Sequence, residues 1–247
     1  MTKSVHQFRE IALPEFEVSG ETGNSNCDQG DRDRLRERFM NAGSEAVADE
    51  EMLELILFRA IPRHEVRTLA RRLLGVFGDF NRVISAPPAR LITVLGVGEA
   101  VITELKIVEA AAQRMAKTSI MHREILSCWK SLLKYCHTRM AHLESEQFRM
   151  LYLDRKNILI ADEVAQNGSV DHVPVYPREV IKRALEVNAS ALILVHNHPS
   201  GDPAPSEEDI SMTETICLAA GTMNITVHDH LIIGKSGTFS FRSHGLI

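Results

Sequence analysis

Cysteine, surplus positive charge and long apolar runs are all scarce in this chain. Its 247 residues hold four cysteines, Cys27, Cys128, Cys136 and Cys217, scattered and without a Cys-x-x-Cys pair. That excludes a disulfide framework and suits a reducing, cytoplasmic setting. No segment approaches the ~18 consecutive apolar residues of a membrane span, and the N-terminus, with Lys3, Arg9 and Glu10, has no apolar signal segment. Membrane insertion and secretion are therefore not expected. The net charge is −5, which gives the whole molecule no bulk attraction to nucleic acid or to an anionic membrane. What is present is ordinary for a soluble globular protein: 44% hydrophobic and 25% charged residues, in a chain long enough for two modest domains.

Residues 1–30 include the polar, glycine-bearing stretch Ser19 to Asn26, which has no periodicity and reads as a disordered tail. Over 31–118 apolar residues recur at spacings of three and four, as in Leu53, Ile56 and Leu57 or Val66, Leu69, Ala70, Leu73 and Leu74, so a small all-helical domain is expected. Arg32, Arg34, Arg36 and Arg38 interleave with Asp31, Asp33 and Glu37 and read as a solvated face. Leu91 to Gly98, followed by a helical pattern from Val101 to Met115, resembles a helix-hairpin-helix. In such a unit glycines let the backbone approach a phosphate, and the next helix offers its N-terminus to the anion. That would be sequence-nonspecific contact with DNA. Against it stand Glu99, directly after the hairpin, and only 14 Lys and Arg to 12 Asp and Glu between Arg32 and Thr118, which is no basic footprint. The alternative is a glycine turn that only packs two helices. Residues 119–143 read as one connecting helix whose stripe of Trp129, Leu132, Leu133 and Met140 serves packing.

The period changes at about residue 144. Phe148 to Leu153 and Ile158 to Ala161 flank Asp154-Arg155-Lys156-Asn157, a hairpin signal. Pro177 opens a helix that runs through Val187 and ends at Asn188. Ala191 to Val195 has the length and composition of a buried strand. A helix from Ser206 to about Ala220 is expected to close at Gly221, and His228 to Ile233 and Thr238 to Arg242 read as two last strands. Strands alternating with helices over 144–247 predict a layered α/β domain with a mixed sheet.

The densest chemistry lies at the end of the Ala191–Val195 run. Side chains alternate along a strand, so His196 and His198 point the same way and form a two-nitrogen pincer. Past a Pro/Gly loop stand Ser206 and Asp209, spaced as a helix capping box. A carboxylate on a first helical turn, beside open backbone N–H groups, stays ionised and fixed in direction, which suits a metal ligand as well as a cap. Zinc held by His196, His198 and Asp209 would keep a fourth tetrahedral position for water, the mark of a catalytic site. Its net charge of about +1 would lower the pKa of that water toward ~7. Ser206 is placed either to donate to a developing oxyanion or only to cap. A general base is also needed, and Glu144, Glu146 and Glu163 compete for that part. His230, in a second His-x-His with His228, reads as structural or supporting, because Asp229 would face the opposite side of its strand. His172 and Tyr176 are candidates to line the cleft, and Asn197 and Ser200 to shape the loop.

The pattern of His196-x-His198, seven intervening residues, Ser206, two more and Asp209 resembles the JAMM motif of MPN-type metalloproteases. His196-Asn197-His198-Pro199-Ser200-Gly201-Asp202-Pro203 is the form typical of the bacterial RadC family, and the similarity extends from about Arg32 to Ile247. The resemblance implies a mononuclear zinc hydrolase with a JAB/MPN fold related to that of cytidine deaminase. It implies His196, His198 and Asp209 as ligands and an upstream glutamate as general base, which maps to Glu146. The expected activity is that of a metallopeptidase or isopeptidase acting on a protein or peptide. A zinc nucleobase deaminase is disfavoured because its Pro-Cys-x-x-Cys signature is missing. A DNA-associated repair or recombination protein, either a metal-dependent nuclease or a DNA binder, is the alternative, suggested by the helical domain and by the repair label attached to the family. The intact ligand set argues against a noncatalytic scaffold. Neither substrate nor oligomeric state follows.

Overall fold

The computed structural model describes residues 25–61, 66–167 and 175–247. Most of the expected tail, and His172, lie outside these residues. The helical region consists of α1 (Ser25–Ala42), α2 (Asp49–Leu57), α3 (Val66–Phe77), α4 (Phe80–Ser85), α5 (Pro88–Leu91) and α6 (Glu99–Thr118). Leu53, Leu57, Leu69, Leu73, Leu91 and Leu105 are fully buried in its core, as the three-and-four spacing requires. Local signals set the helix starts. Glu51 accepts the Ala48 N–H at 3.0 Å, Asp79 accepts the Arg82 N–H at 2.8 Å, and Pro88 opens α5.

Ser25 to Gly30 are helical, which corrects the tail reading for those residues. The helix carries Asp31–Arg34 and Asp33–Arg36 pairs of 3.4 and 3.3 Å. Those pairs support the helix from Asp31 onward, and Ser25 to Gly30 ahead of them carry no apolar period to read.

The expected connecting helix over 119–143 is also different. A 3-10 turn, Leu126–Cys128, precedes a shorter α7 (Trp129–Met140). Leu132, Tyr135, Cys136 and Met140 of α7 pack on Leu151, Ile193, Val195 and Leu231, so this helix covers one face of the sheet. Burial of that stripe against strands more than ten residues downstream is a tertiary contact, invisible to a periodicity argument.

The sheet has five strands, β1 (Gln147–Leu153), β2 (Leu159–Asn167), β3 (Ala191–Asn197), β4 (Thr226–Ile233) and β5 (Thr238–Ser240), in the order β2-β1-β3-β4-β5. β3 and β4 are parallel, and every other pair is antiparallel. The parallel crossover is made by α9 (Glu207–Thr222), which lies with α8 (Pro177–Glu186) on the face opposite α7. The result is a three-layer α/β domain with a mixed sheet and a helical region before it. Pleating sends Leu192, Leu194 and His196 of β3, with Phe148 and Met150 of β1, to the α8/α9 side. β3 is buried along its whole length.

The β1–β2 turn is closed by Asp154 Oδ1, which accepts the Lys156 and Ile158 N–H groups at 2.8 and 2.9 Å. β2 continues to Asn167, well past Ala161, and β4 starts at Thr226. β5 stops at Ser240 because the Arg242 N–H turns to Asp229 Oδ1 at 3.0 Å. α9 runs beyond the expected Gly221 cap, and the left-handed position is taken by Asn224 at φ 57; asparagine tolerates that conformation. Among the described residues no helix is long and apolar enough to cross a membrane.

One close approach fixes the loop after β3. His198 N–H donates to Ile233 O at 3.1 Å, Gly201 N–H to His198 O at 2.9 Å and Lys235 N–H to Gly201 O at 3.1 Å. A Cβ at Gly234 would overlap the Gly201 carbonyl oxygen and stand 2.9 Å from Pro203 Cδ. Gly234→Ala is therefore expected to cost about 1–3 kcal/mol by overpacking. Calorimetry should show Tm falling by roughly 2–4 °C per kcal/mol. An unchanged Tm would mean that the loop yields freely.

Candidate metal centre

His196 and the loop that follows stand at the carboxyl end of β3, and α9 begins at that same edge. In open α/β sheets such a crevice is where ligands bind. His196 is 1% exposed, held under Phe148, whose ring stacks on it with centroids 5.8 Å apart. Ser206 caps α9 as its spacing suggested, and Asp209 returns the bond. Ser206 Oγ accepts the Asp209 N–H at 3.1 Å, while Asp209 Oδ2 accepts the Ser206 N–H at 2.8 Å and its hydroxyl at 2.7 Å. The Ser206 hydroxyl hydrogen is thus spent on Asp209. The oxyanion role considered for Ser206 would require that hydrogen to leave the carboxylate, so in this geometry the residue orients Asp209.

Glu146, His196, His198 and Asp209 converge, each offering one ligand atom, with all four atoms within 4.8 Å of one another. His196 Nε2 lies 3.0 Å from His198 Nε2, 3.2 Å from Asp209 Oδ1 and 3.7 Å from Glu146 Oε1, and His198 Nε2 lies 3.5 Å from Asp209 Oδ2. The three competing glutamates are told apart here. Glu144 is ion-paired with Arg90, and Glu163 pairs with Arg183 at 2.5 Å. Only Glu146 joins the histidines.

Asn197 delivers it. This buried amide accepts the Gln147 N–H at 2.9 Å and donates to Ser145 O at 3.1 Å, clipping the backbone on both sides of Glu146. The side chain extends the β1–β3 ladder one step past the Phe148–His196 pair. Sequence reading gave Asn197 only a loop-shaping part. The signal was its place between two ligands, but its partners are fifty residues upstream.

The network also assigns the imidazole protons. Thr213 Oγ1 donates to Asp209 O at 2.5 Å, so it must accept from His230 Nδ1 at 2.6 Å. His230 is fully buried, and that burial pushes its pKa well below the ordinary imidazole value, keeping it neutral. Its bare Nε2 then accepts from His196 Nδ1 at 2.8 Å, which leaves the lone pair of His196 Nε2 facing the cluster. His198 Nδ1 donates to Asp202 O at 2.9 Å, which frees its Nε2 in the same way. Two imidazole lone pairs facing each other 3.0 Å apart repel unless a cation or a shared proton lies between them. Hydrogen bonds fixing the tautomer of each histidine are the usual support of a metal ligand. The donor set, two imidazole nitrogens and a carboxylate, fits zinc.

Burial by itself would raise the Asp209 carboxyl, but its bonds to His196, His198 and Ser206 prevail and hold it far below the usual carboxylate range. The bond to Asp209 raises His198 despite partial burial. Cysteine takes no part: burial pushes the Cys136 thiol up to about 12, leaving it protonated beneath α7. Tyr176, a candidate for the cleft, instead lines a groove between β2 and α8 with Glu163 and Arg183. Ser200 Oγ meets the Asp202 N–H at 3.4 Å within the loop. Asp229 turns from the cluster, accepting the Ser240 hydroxyl at 2.6 Å, so His230 acts as the support expected of it.

Comparison with known proteins gives the chain a family. Residues 126–246 match the family described as RadC-like JAB domain, and residues 28–103 match the UPF0758 N-terminal family. A UPF0758 protein of Rhodobacter capsulatus is 65% identical over 213 residues, covering 86% of this chain and 100% of that one. A second, of Ruegeria pomeroyi, is 65% identical over 216 residues, covering 87% and 96%. Both matched regions fall on the two parts of the fold, and the cluster lies wholly within the second. On these grounds the chain belongs to the RadC family of UPF0758 proteins, with its JAB domain built around the His196, His198 and Asp209 crevice.

Proposed function

We propose that this protein is a zinc-dependent hydrolase of amide bonds, a metallopeptidase or isopeptidase acting on a protein or peptide. The observation that carries the reading is the meeting of Glu146 with His196, His198 and Asp209 in one partly buried crevice. His196, His198 and Asp209 would hold the ion, which would supply Lewis acidity and lower the pKa of water in the site. Glu146 would take a proton from that water and return it to the leaving amine, within reach because Asn197 anchors its backbone on both sides. His230 and Thr213 keep His196 in the tautomer that presents Nε2. Asp209 would supply negative charge to offset part of that of the ion.

The test is a labelling of new amino termini after the zinc-loaded protein is incubated with a cell-derived peptide mixture. New termini should appear, vanish with a zinc chelator and return on adding zinc. Cleavage that persists under chelation would remove the reading.

A second reading, DNA contact through the turn between α5 and α6, has one observation in its favour. Gly96 stands at φ 93, Gly98 precedes α6 as a cap without a side chain, and Leu95, just before the two glycines, is 77% exposed. Open backbone N–H groups at a helix start suit a phosphate, although Glu99 occupies the first turn. The reading concerns binding alone and leaves the chemistry of the crevice untouched.

A further inference from the structure

Where the helical region meets the α/β domain, a cavity of about 420 Å³ lies between α3–α5 and three loops of the catalytic side. Two residues of its wall tie it to the crevice: Pro199 follows His198, and Glu144 stands two positions before Glu146. We propose that this cavity is a substrate subsite for an acidic side chain, and that acidic peptides are the class of substrate brought to the crevice. The inference rests on the hydrolase reading given above.

Charge is the first argument. Arg82, Arg90 and Lys235 line the cavity against the single carboxylate of Glu144, in a chain whose net charge is −5. Arg90 is engaged by Glu144 and lies 5.2 Å over the Phe77 ring, and Arg82 Nε reaches Asp79 at 3.1 Å. Each guanidinium still has further N–H donors. Lys235 has no carboxylate partner among the described residues, and its position is set by packing. Its stem lies across Gly201, where a Cβ would meet Lys235 Cδ at 3.0 Å, so the missing side chain at Gly201 makes room for the lysine.

A second argument is independent of charge. His142 lines the same cavity, and its Nδ1 is buried with no hydrogen-bond partner among the described residues. A buried polar atom left unpaired is costly unless something else completes it. That atom is shielded from the cavity as it stands, and a turn of the His142 ring would bring it to a ligand carboxyl beside Lys235. Val76, Phe77 and Leu143 supply an apolar wall against which the methylenes of a glutamate stem would pack. A cavity of about 420 Å³ takes a small ligand or one or two side chains, and a DNA duplex is too broad to enter it.

The experiment uses the full zinc-loaded chain carrying Glu146→Gln, so that bound peptide survives. Fluorescence anisotropy is read with a labelled hexapeptide containing two glutamates and with its glutamine and lysine counterparts. The glutamate peptide is expected to bind at least tenfold tighter than the glutamine one. Lys235→Glu, an exposed position that should fold normally, and Arg82→Gln are each expected to cut that preference at least threefold. Equal binding of the glutamate and glutamine peptides, or a preference unchanged in both variants, would overturn the proposal. So would a short DNA duplex that weakens with Lys235→Glu while the peptides show no preference. If the glutamate peptide binds preferentially but the wild-type chain never cleaves it, the subsite is supported and the hydrolase reading fails, so the two are judged separately.

Discussion

Replacing His196 with alanine is expected to lower zinc affinity by more than about 100-fold while the fold survives. Losing a residue that merely supports a metal ligand typically costs 10–100-fold. His196 is more than support: its Nε2 faces His198, Asp209 and Glu146 at 3.0–3.7 Å. Asp209→Asn should lose zinc in the same way by removing the balancing charge, while Ser206 keeps capping α9. Metal content by mass spectrometry, with circular dichroism to check the fold, measures both. Full metal retention by both variants would end the assignment.

His198 and Asp209 give the metal-free protein a distinctive pH dependence. In the metal-free protein Asp209 Oδ2 stands 3.5 Å from His198 Nε2, and this bond raises the His198 pKa and favours its protonated form. A raised folded value means the contribution is fully present below the unfolded imidazole pKa of about 6.5 and is lost as pH rises through the folded value. The metal-free protein should therefore lose Tm with rising pH over that window. Zinc must displace that proton, so its affinity should rise over the same range.

Glu146→Gln is expected to leave zinc content unchanged and to reduce turnover of any cleaved peptide by about 10²–10⁴-fold, the usual contribution of a positioned base. The glutamine is nearly isosteric, so binding and fold stay while the proton acceptor goes. Glu144→Gln and Glu163→Gln serve as controls, since their carboxylates are held by Arg90 and Arg183. Loss of turnover in either control, with Glu146→Gln active, would reassign the base.

Much of the fold could be read from spacing, because burial of one face forces a period on the residues that make it. Leu53, Leu57, Leu69 and Leu73 disclosed the helices in this way, and the apolar run Ala191–Val195 disclosed the central strand. What escaped were element ends and tertiary partners. α1 starts at Ser25, ahead of the helical pattern that begins at Asp31, and the face of the sheet that α7 covers is set by strands that lie after it in the chain.

The sequence by itself determined the parts of the site that are local. His196 and His198 flank a strand end, and Ser206 and Asp209 share a helical turn, so two local backbone geometries bring each pair to one side of the chain. Spacing alone left open which glutamate completes the group; the family resemblance named Glu146, and the tertiary structure sets that side chain beside the histidines and decides which proton each imidazole carries. Glu144, Glu146 and Glu163 are equivalent carboxylates in one dimension. What separates them is strand register: Asn197 grips Ser145 and Gln147 across the β1–β3 pairing, and His230 reaches His196 across β3–β4. Hydrogen bonds between residues thirty to fifty positions apart leave no periodic trace in the chain, and here they turn a nearby carboxylate into a candidate base.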